Sequence, residues 1–548
     1  MVGDFLHSNP KENRFLSGVA ALTVSTVLVK IIGLVYKIPM MHCLGAEGMG
    51  YFNSAYELYT LFFVIATAGL PVAVSVLISE SLASGRRMNV KKIYTVSFAL
   101  FFFVGLSGAL LLASCAGVFA RMIESPGAEL CIAFIAPTVF FISLASAVRG
   151  YFQGNQNMMP TAVSQVIEAV GKLLLGVLLA TWATRAGWPA ERAAALAVLG
   201  LVAGSAISML YLLIRSGVRM RESPQKTEDC KVEKTGAILR RLVALALPVT
   251  LGASLSSLTR VVDMTLILRR LGDLGYDTVT ATAMFGSYST LAVPIYHLPT
   301  ALISGIGVSL VPSLAGEKPE KRDALVGTAI RLSGLVSIPS AFGLAVFSTP
   351  ILSLLFSGET EAIRLSAPLL AALGVSVPSA CLLSVTTSVL QAHKKASLPI
   401  LSMMAGLAVK VASGYLLMGM ADVAMMGAPI STLLCNLTAV GLNFYFIEKN
   451  GLLRCEIWPQ LTGPVLPSFL AAVTSFAAYV GLRVRMPETG AFLVALSVFG
   501  VVYLLSCVKL RVIAQEDTVF LTKGKLKSRI YKGRKHYGTQ PKDQGSAC

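Results

Sequence analysis

Blocks of about 20 predominantly apolar residues, joined by short polar connections, run almost the full length of the chain. That is the length an α-helix needs to cross the hydrocarbon core of a bilayer. Fourteen such blocks centre near Val27, Ile65, Val104, Phe140, Leu174, Ala203, Leu255, Pro294, Leu335, Ala371, Ala408, Leu434, Val473 and Val501. All exceed barrel-strand length, and none keeps a period-2 alternation. The pattern predicts an all-α membrane protein of about 14 transmembrane helices. The longest polar connection, from about Arg215 to Arg240, divides six helices from the next six. The expected organisation is an N-terminal segment over 1–14, an N-lobe over 15–215 and an inter-lobe loop over 216–239. A C-lobe over 240–448, a helix pair over 449–510 and a basic tail over 511–548 complete it.

Composition sharpens this reading. Of 548 residues, 55% are hydrophobic and only 14% charged, against roughly 25% charged in soluble domains. Mean hydropathy is +0.72. A disordered chain, a nucleic-acid-binding module and an ordinary soluble enzyme are excluded. The net charge of +18 is explained by topology. With the N-terminus inside, 32 of the 46 Lys and Arg fall at inner ends, nine at outer ends and five within spans. Positive charge favours the cytoplasmic side, so both termini are expected there, in a bacterial cytoplasmic membrane. The first apolar block carries Lys30 and Lys37 and reads as a retained helix, not a removed signal peptide. The nine cysteines show no CxxC or metal-ligand spacing and read as small buried hydrophobes.

The six-helix blocks resemble each other. LGAEGMGYFNSAYELYTLFFVIATAGLP from Leu44 matches LGDLGYDTVTATAMFGSYSTLAVPIYHLP from Leu271. YFQGNQNMMPTAVSQVIEAVGKLLLG from Tyr151 matches VLQAHKKASLPILSMMAGLAVKVASG from Val389. A repeat of six spans keeps its orientation, which predicts two lobes in parallel pseudo-repeat plus a C-terminal helix pair, with a central cavity and alternating access between the lobes.

Ionisable residues inside spans are costly and need a partner or a water-filled cavity. The candidates are Lys30, Lys37, Glu57, Glu168, Lys172, Arg260, Asp263, Arg331 and Lys410, with His297 between Pro294 and Pro299. Glu168 and Lys172 are four apart and Arg260 and Asp263 three apart, so each pair shares a helix face and can neutralise itself. Lys30 has no acidic neighbour at helical spacing and is expected to face a helix or a cavity. The excess of Lys and Arg over Asp and Glu suits an anionic solute, above all a phosphate or diphosphate. The expected substrate-binding cations are Lys30, Lys37, Arg260 and Lys410. Glu57, Glu168, Lys172, Asp263 and His297 are candidates for ion coupling or charge pairing.

The sequence has no Walker loop, no HExxH and no paired metal-ligand spacing, and no outer loop long enough for a catalytic domain. An enzyme such as a polysaccharide polymerase or ligase is therefore not expected. Neither is a cofactor, with Na+ or H+ left open as a coupling ion.

The stretches KIIGLVYKIPMMHCLGAEGMGYFNSAYELYTLFFVIATAGLPVAVSVLISE and RGYFQGNQNMMPTAVSQVIEAVGK resemble the stage V sporulation protein B group. That group lies within the multidrug/oligosaccharidyl-lipid/polysaccharide exporter superfamily. The resemblance implies fourteen helices and export of a polyprenyl-diphosphate-linked oligosaccharide, a peptidoglycan or spore-cortex precursor resembling lipid II. It implies partners limited to that substrate and to membrane lipids, without nucleic acid, and a monomer as the working unit. A cation-coupled multidrug exporter is the alternative within the same superfamily. Lipid II flippases carry cavity cations in helices 1, 2 and 8. Lys30 and Lys37 match in helix 1, whereas helix 2 has Glu57 and helix 8 has His297. In the sporulation group helix 1 usually ends Tyr-Arg-Ile-Pro; Tyr36-Lys37-Ile38-Pro39 keeps the charge.

Overall fold

A computed structural model describes residues 10–222, 233–314, 319–393, 395–452, 461–510 and 512. The first nine residues, residues 223–232 of the inter-lobe loop and nearly all of the basic tail expected over 511–548 lie outside the described residues. Thirteen helices among the described residues are long and apolar enough to cross a membrane. The first, Val24–Ala83, is 60 residues long. At 1.5 Å per residue it would reach about 90 Å, roughly three times a bilayer core. It does not run straight: Gly45 breaks it with φ 66° and ψ −178°, a conformation open to glycine and strained for other residues. The chain reverses there, and the fourteen expected crossings are recovered.

The N-terminal bundle comprises α1 (Pro10–Thr67), α2 (Leu70–Ala83), α3 (Arg87–Ser114), α4 (Ala116–Met122), α5 (Glu129–Gly154), α6 (Met159–Arg185) and α7 (Ala190–Glu222). The C-terminal bundle comprises α8 (Thr235–Asp273), α9 (Thr278–Ser287), α10 (Val293–Leu314), α11 (Pro319–Leu355), α12 (Thr360–Ala392), α13 (Ser397–Met418) and α14 (Gly427–Lys449). A π-helical turn, Tyr288–Ala292, joins α9 to α10. Local signals set the ends. Pro71 and Pro160 open α2 and α6 from the first turn, where the missing N–H costs nothing. Asp277 caps α9 by accepting from the Thr280 amide at 3.1 Å, and that bonding holds its carboxyl below the usual range. The last helices, α15 (Val465–Arg483) and α16 (Glu488–Lys509), pack on each other and on α11. There Phe347, Tyr479 and Phe492 form a small aromatic core, and the Tyr503 hydroxyl donates to the Leu335 carbonyl at 2.7 Å.

Between lipid-embedded helices, close backbone approach replaces the hydrophobic drive. In the first bundle α6 meets α7 through Gly171 against Gly204 and Gly176 against Gly200. Between bundles α1 meets α9: a Cβ on Gly50 would lie 2.2 Å from the Thr282 carbonyl oxygen, and one on Gly286 would lie 2.0 Å from that of Ala46. The bundles are thus sealed backbone to backbone at the Gly45 end. Gly286→Ala is expected to lower stability by about 1–3 kcal/mol through overpacking. Gly305→Ala, where a Cβ would meet nothing within 4 Å, should be neutral or slightly stabilising. Thermal unfolding of the two variants in detergent separates these outcomes.

Candidate functional site

The seam between bundles carries polar bonds as well as glycines. On α1, Asn53 and Glu57 are four residues apart and share a face. The Asn53 amide donates to the Thr290 hydroxyl at 2.8 Å. Glu57 accepts from the Arg260 guanidinium at 3.0 Å. Lys37, from the first half of α1, donates to the Ser289 carbonyl at 2.7 Å. Ser289 lies in the π-helical turn, where the wider winding departs from the regular α-helical hydrogen-bond ladder. All three bonds join α1 to the α8–α10 region.

Two cavities flank this seam. The first, about 560 Å³, belongs to the N-terminal bundle. Its walls come from both halves of α1, from α5 and from α6. Tyr56, Tyr59 and Phe63 form one wall, part of an aromatic ladder along α1 in which Phe52, Tyr56, Tyr59 and Phe63 follow one another at centroid spacings of 6.2, 5.7 and 5.8 Å. Lys30 is exposed and lines this cavity. The Lys172 ammonium sits 5.0 Å from the Tyr36 ring centre and 4.7 Å from that of Tyr56, a cation–π arrangement. No carboxylate lies within ion-pair distance of Lys30 or Lys172 among the described residues. Tyr36 and Gln165 also line the cavity, but the Tyr36 hydroxyl and the Gln165 side-chain oxygen are themselves buried and have no hydrogen-bond partner.

The second cavity, about 230 Å³, belongs to the C-terminal bundle and is lined by Arg260, Asp263, Tyr296, His297, Lys410 and Asn436 among others. His297 is exposed there, with its ring 4.8 Å from that of Tyr296. Lys410 donates to Asp263 at 2.6 Å and to the Thr432 hydroxyl at 3.0 Å. Each bundle carries a cavity beside the bonded seam.

The same-helix charge pairs expected from spacing do not form. Glu168 pairs with Arg149 of α5 at 2.9 Å, not with Lys172. Arg149 is further held by the hydroxyls of Ser164 at 3.0 Å and Ser208 at 3.2 Å. Asp263 pairs with Lys410 across helices, and Arg260 reaches Glu57 in the other bundle. The physical reason is reach. A carboxylate in an apolar slab binds the cation that can also satisfy its neighbouring hydroxyls, and facing helices bring such groups closer than one helix face does. Of the expected substrate cations, Arg260 and Lys410 are therefore occupied by carboxylates and Lys37 by a carbonyl. Lys30 stands in a cavity as expected. Lys172, expected in a charge pair, joins it. Arg149 was missed because it lies near the end of its span and reads as one more inner-end positive charge. The Ser164-x-x-x-Glu168 spacing on the next helix was the available signal, since it presents a hydroxyl and a carboxylate on one face.

Removing one partner of a buried pair leaves an uncompensated charge. Arg149→Met is expected to destabilise the protein by about 3 kcal/mol, and Arg149→Met with Glu168→Gln to recover most of that loss. Lys172→Ala, which strands no carboxylate, should cost less than either single change at the pair. Thermal unfolding of the set in detergent gives the ordering.

A sequence model of polysaccharide biosynthesis proteins matches residues 15–318, more than half of the chain, and a second, MatE, matches residues 248–416. The chain is 27% identical to the stage V sporulation protein B of Bacillus subtilis (strain 168), over 76% of this chain and 80% of that one. It is 24% identical to the lipid II flippase MurJ of the same organism, over 85% and 88%. Among solved structures, a lipid II flippase MurJ in an inward closed conformation superposes with a TM-score of 0.70, at 16% identity, over 89% of this chain and 98% of that one. That likeness extends the helical count above to the arrangement of the helices.

Proposed function

The chain belongs to the polysaccharide biosynthesis protein family of multi-pass membrane transporters, and from that premise we propose that it moves a polyprenyl-diphosphate-linked oligosaccharide across the bacterial cytoplasmic membrane by alternating access. The observation that carries the reading is the N-terminal cavity, where Lys30 and Lys172 present two ammonium groups with no carboxylate partner among the described residues. Ammonium groups in a site of lowered dielectric favour a multiply charged phosphate strongly. The tyrosine faces offer apolar contact to a sugar ring. Lys37, at the seam, is placed to exchange the Ser289 carbonyl for a phosphate oxygen as the bundles move apart.

Both termini are assigned to the cytoplasm on the distribution of positive charge. The cargo, loaded from that side, would leave toward the Gly45 end. Export of an anion is then assisted by the membrane potential, by about 2.3 kcal/mol per charge per 100 mV. A peptidoglycan or spore-cortex precursor is the cargo most in keeping with the names of the relatives. The second reading is a cation-coupled drug exporter, supported by the MatE match over residues 248–416. The paired state of Glu57, Glu168 and Asp263 weighs against it, since a cationic drug or a coupling cation needs an available carboxylate.

Reconstituted in liposomes with undecaprenyl-diphosphate-linked disaccharide, Lys30→Ala is expected to abolish flipping, and Lys172→Ala to slow it at least tenfold, with insertion and yield unchanged. Full activity of both variants would remove the cavity from the mechanism. Resistance to cationic drugs on overexpression, without lipid flipping, would favour the second reading.

A further inference from the structure

Asp263 raises a separate question: what cation compensates it inside the membrane. Its Oδ2 takes the Lys410 ammonium at 2.6 Å. That ammonium also donates to the Thr432 hydroxyl at 3.0 Å, and the lysine side chain is only 3% exposed. The remaining carboxylate oxygen, Oδ1, is buried with no hydrogen-bond partner. The cluster gathers a carboxylate from α8, a hydroxyl from α14 and, between them, a positive charge from α13. A carboxylate and a hydroxyl on separate helices are the oxygen donors that a dissociable monovalent cation would use. Here the charge between them is part of the chain.

The two bundles treat equivalent lysines differently. Lys172 and Lys410 each lie thirteen residues beyond the first residue of their helix, α6 and α13. The first rests against tyrosine rings and meets no carboxylate within ion-pair distance among the described residues. The second is consumed by one.

We propose that Lys410 is a tethered counter-cation: it occupies the place of a dissociable Na+ or K+ at Asp263, ties α8, α13 and α14 together, and leaves the C-terminal bundle with no metal cation to take up during the transport cycle. The activity arm of its test rests on the transport reading above; the stability arm does not. Thermal unfolding of the purified full-length protein in detergent is compared in sodium chloride and in N-methylglucamine chloride of equal ionic strength, and with propylammonium chloride added. Propylammonium replaces the atoms that Lys410→Ala deletes. The wild type is expected to show no sodium-specific shift in midpoint. Lys410→Ala should unfold several degrees lower and regain much of that loss with sodium or propylammonium, because only a vacated site binds them. Asp263→Asn with Lys410→Met should respond to neither cation. Should the alanine variant fail to accumulate, Lys410→Gln replaces it, with recovery expected from sodium alone, because its amide fills the space that propylammonium would take. A sodium-specific rise in the wild type, or a vacated variant deaf to both cations, overturns the proposal. In liposomes, wild-type flipping should stay within about twofold when sodium is replaced on both sides, and a larger loss also overturns it. Absence of any flipping by the wild type counts against the transport reading alone and leaves the unfolding result to decide.

Discussion

A charge placed in a hydrocarbon slab must meet an opposite charge or water, and the interior of this protein is organised by that requirement. Three acidic groups, Glu57, Glu168 and Asp263, each take one basic group: Arg260, Arg149 and Lys410. Each pair joins two helices, so each also fixes a packing relation. Arg149–Glu168 ties α5 to α6, and Lys410–Asp263 ties α13 to α8. Glu57–Arg260 lies across the seam and is the one of the three that must yield if the bundles separate. Two intrabundle pairs and one interbundle pair suit a machine whose halves stay rigid while their contact changes.

What remains after this pairing gives the site its chemistry. Lys30 and Lys172 are left in the N-terminal cavity with an aromatic wall. An excess of positive charge is costly to maintain and would be relieved by an anion, which is the property the proposed function uses. In the C-terminal cavity that holds Asp263, the acid is already answered. The asymmetry between the two cavities follows from where the carboxylates stand.

The backbone contributes a second constraint. At the Gly45 end α1 and α9 touch through Gly50 and Gly286 with no room for a Cβ, while the π-helical turn a few residues on offers the Ser289 carbonyl to Lys37. A glycine contact holds by fit alone and can part without stranding a polar group. Lys37 and Ser289, by contrast, need replacement partners when they part, and a phosphate oxygen and water can supply them.

Much of this was legible along the chain. The succession of apolar crossings and the presence of charges in the slab follow from span length and hydropathy, which are local properties of sequence. That Lys30 needs a facing helix or a cavity was also readable, because no acid stands at helical spacing from it; the folded arrangement gives it the cavity. The pairings were not. Spacing reports only neighbours on one helix, and it suggested Glu168 with Lys172 and Arg260 with Asp263. The true partners stand 19, 203 and 147 positions apart, on helices whose rotation about their own axes is set by packing. Arg149 went unnoticed and Lys410 was read as available for the same reason: which face of a helix meets which neighbour is decided by side-chain fit between helices, and only the folded arrangement reveals whether a charge has been answered.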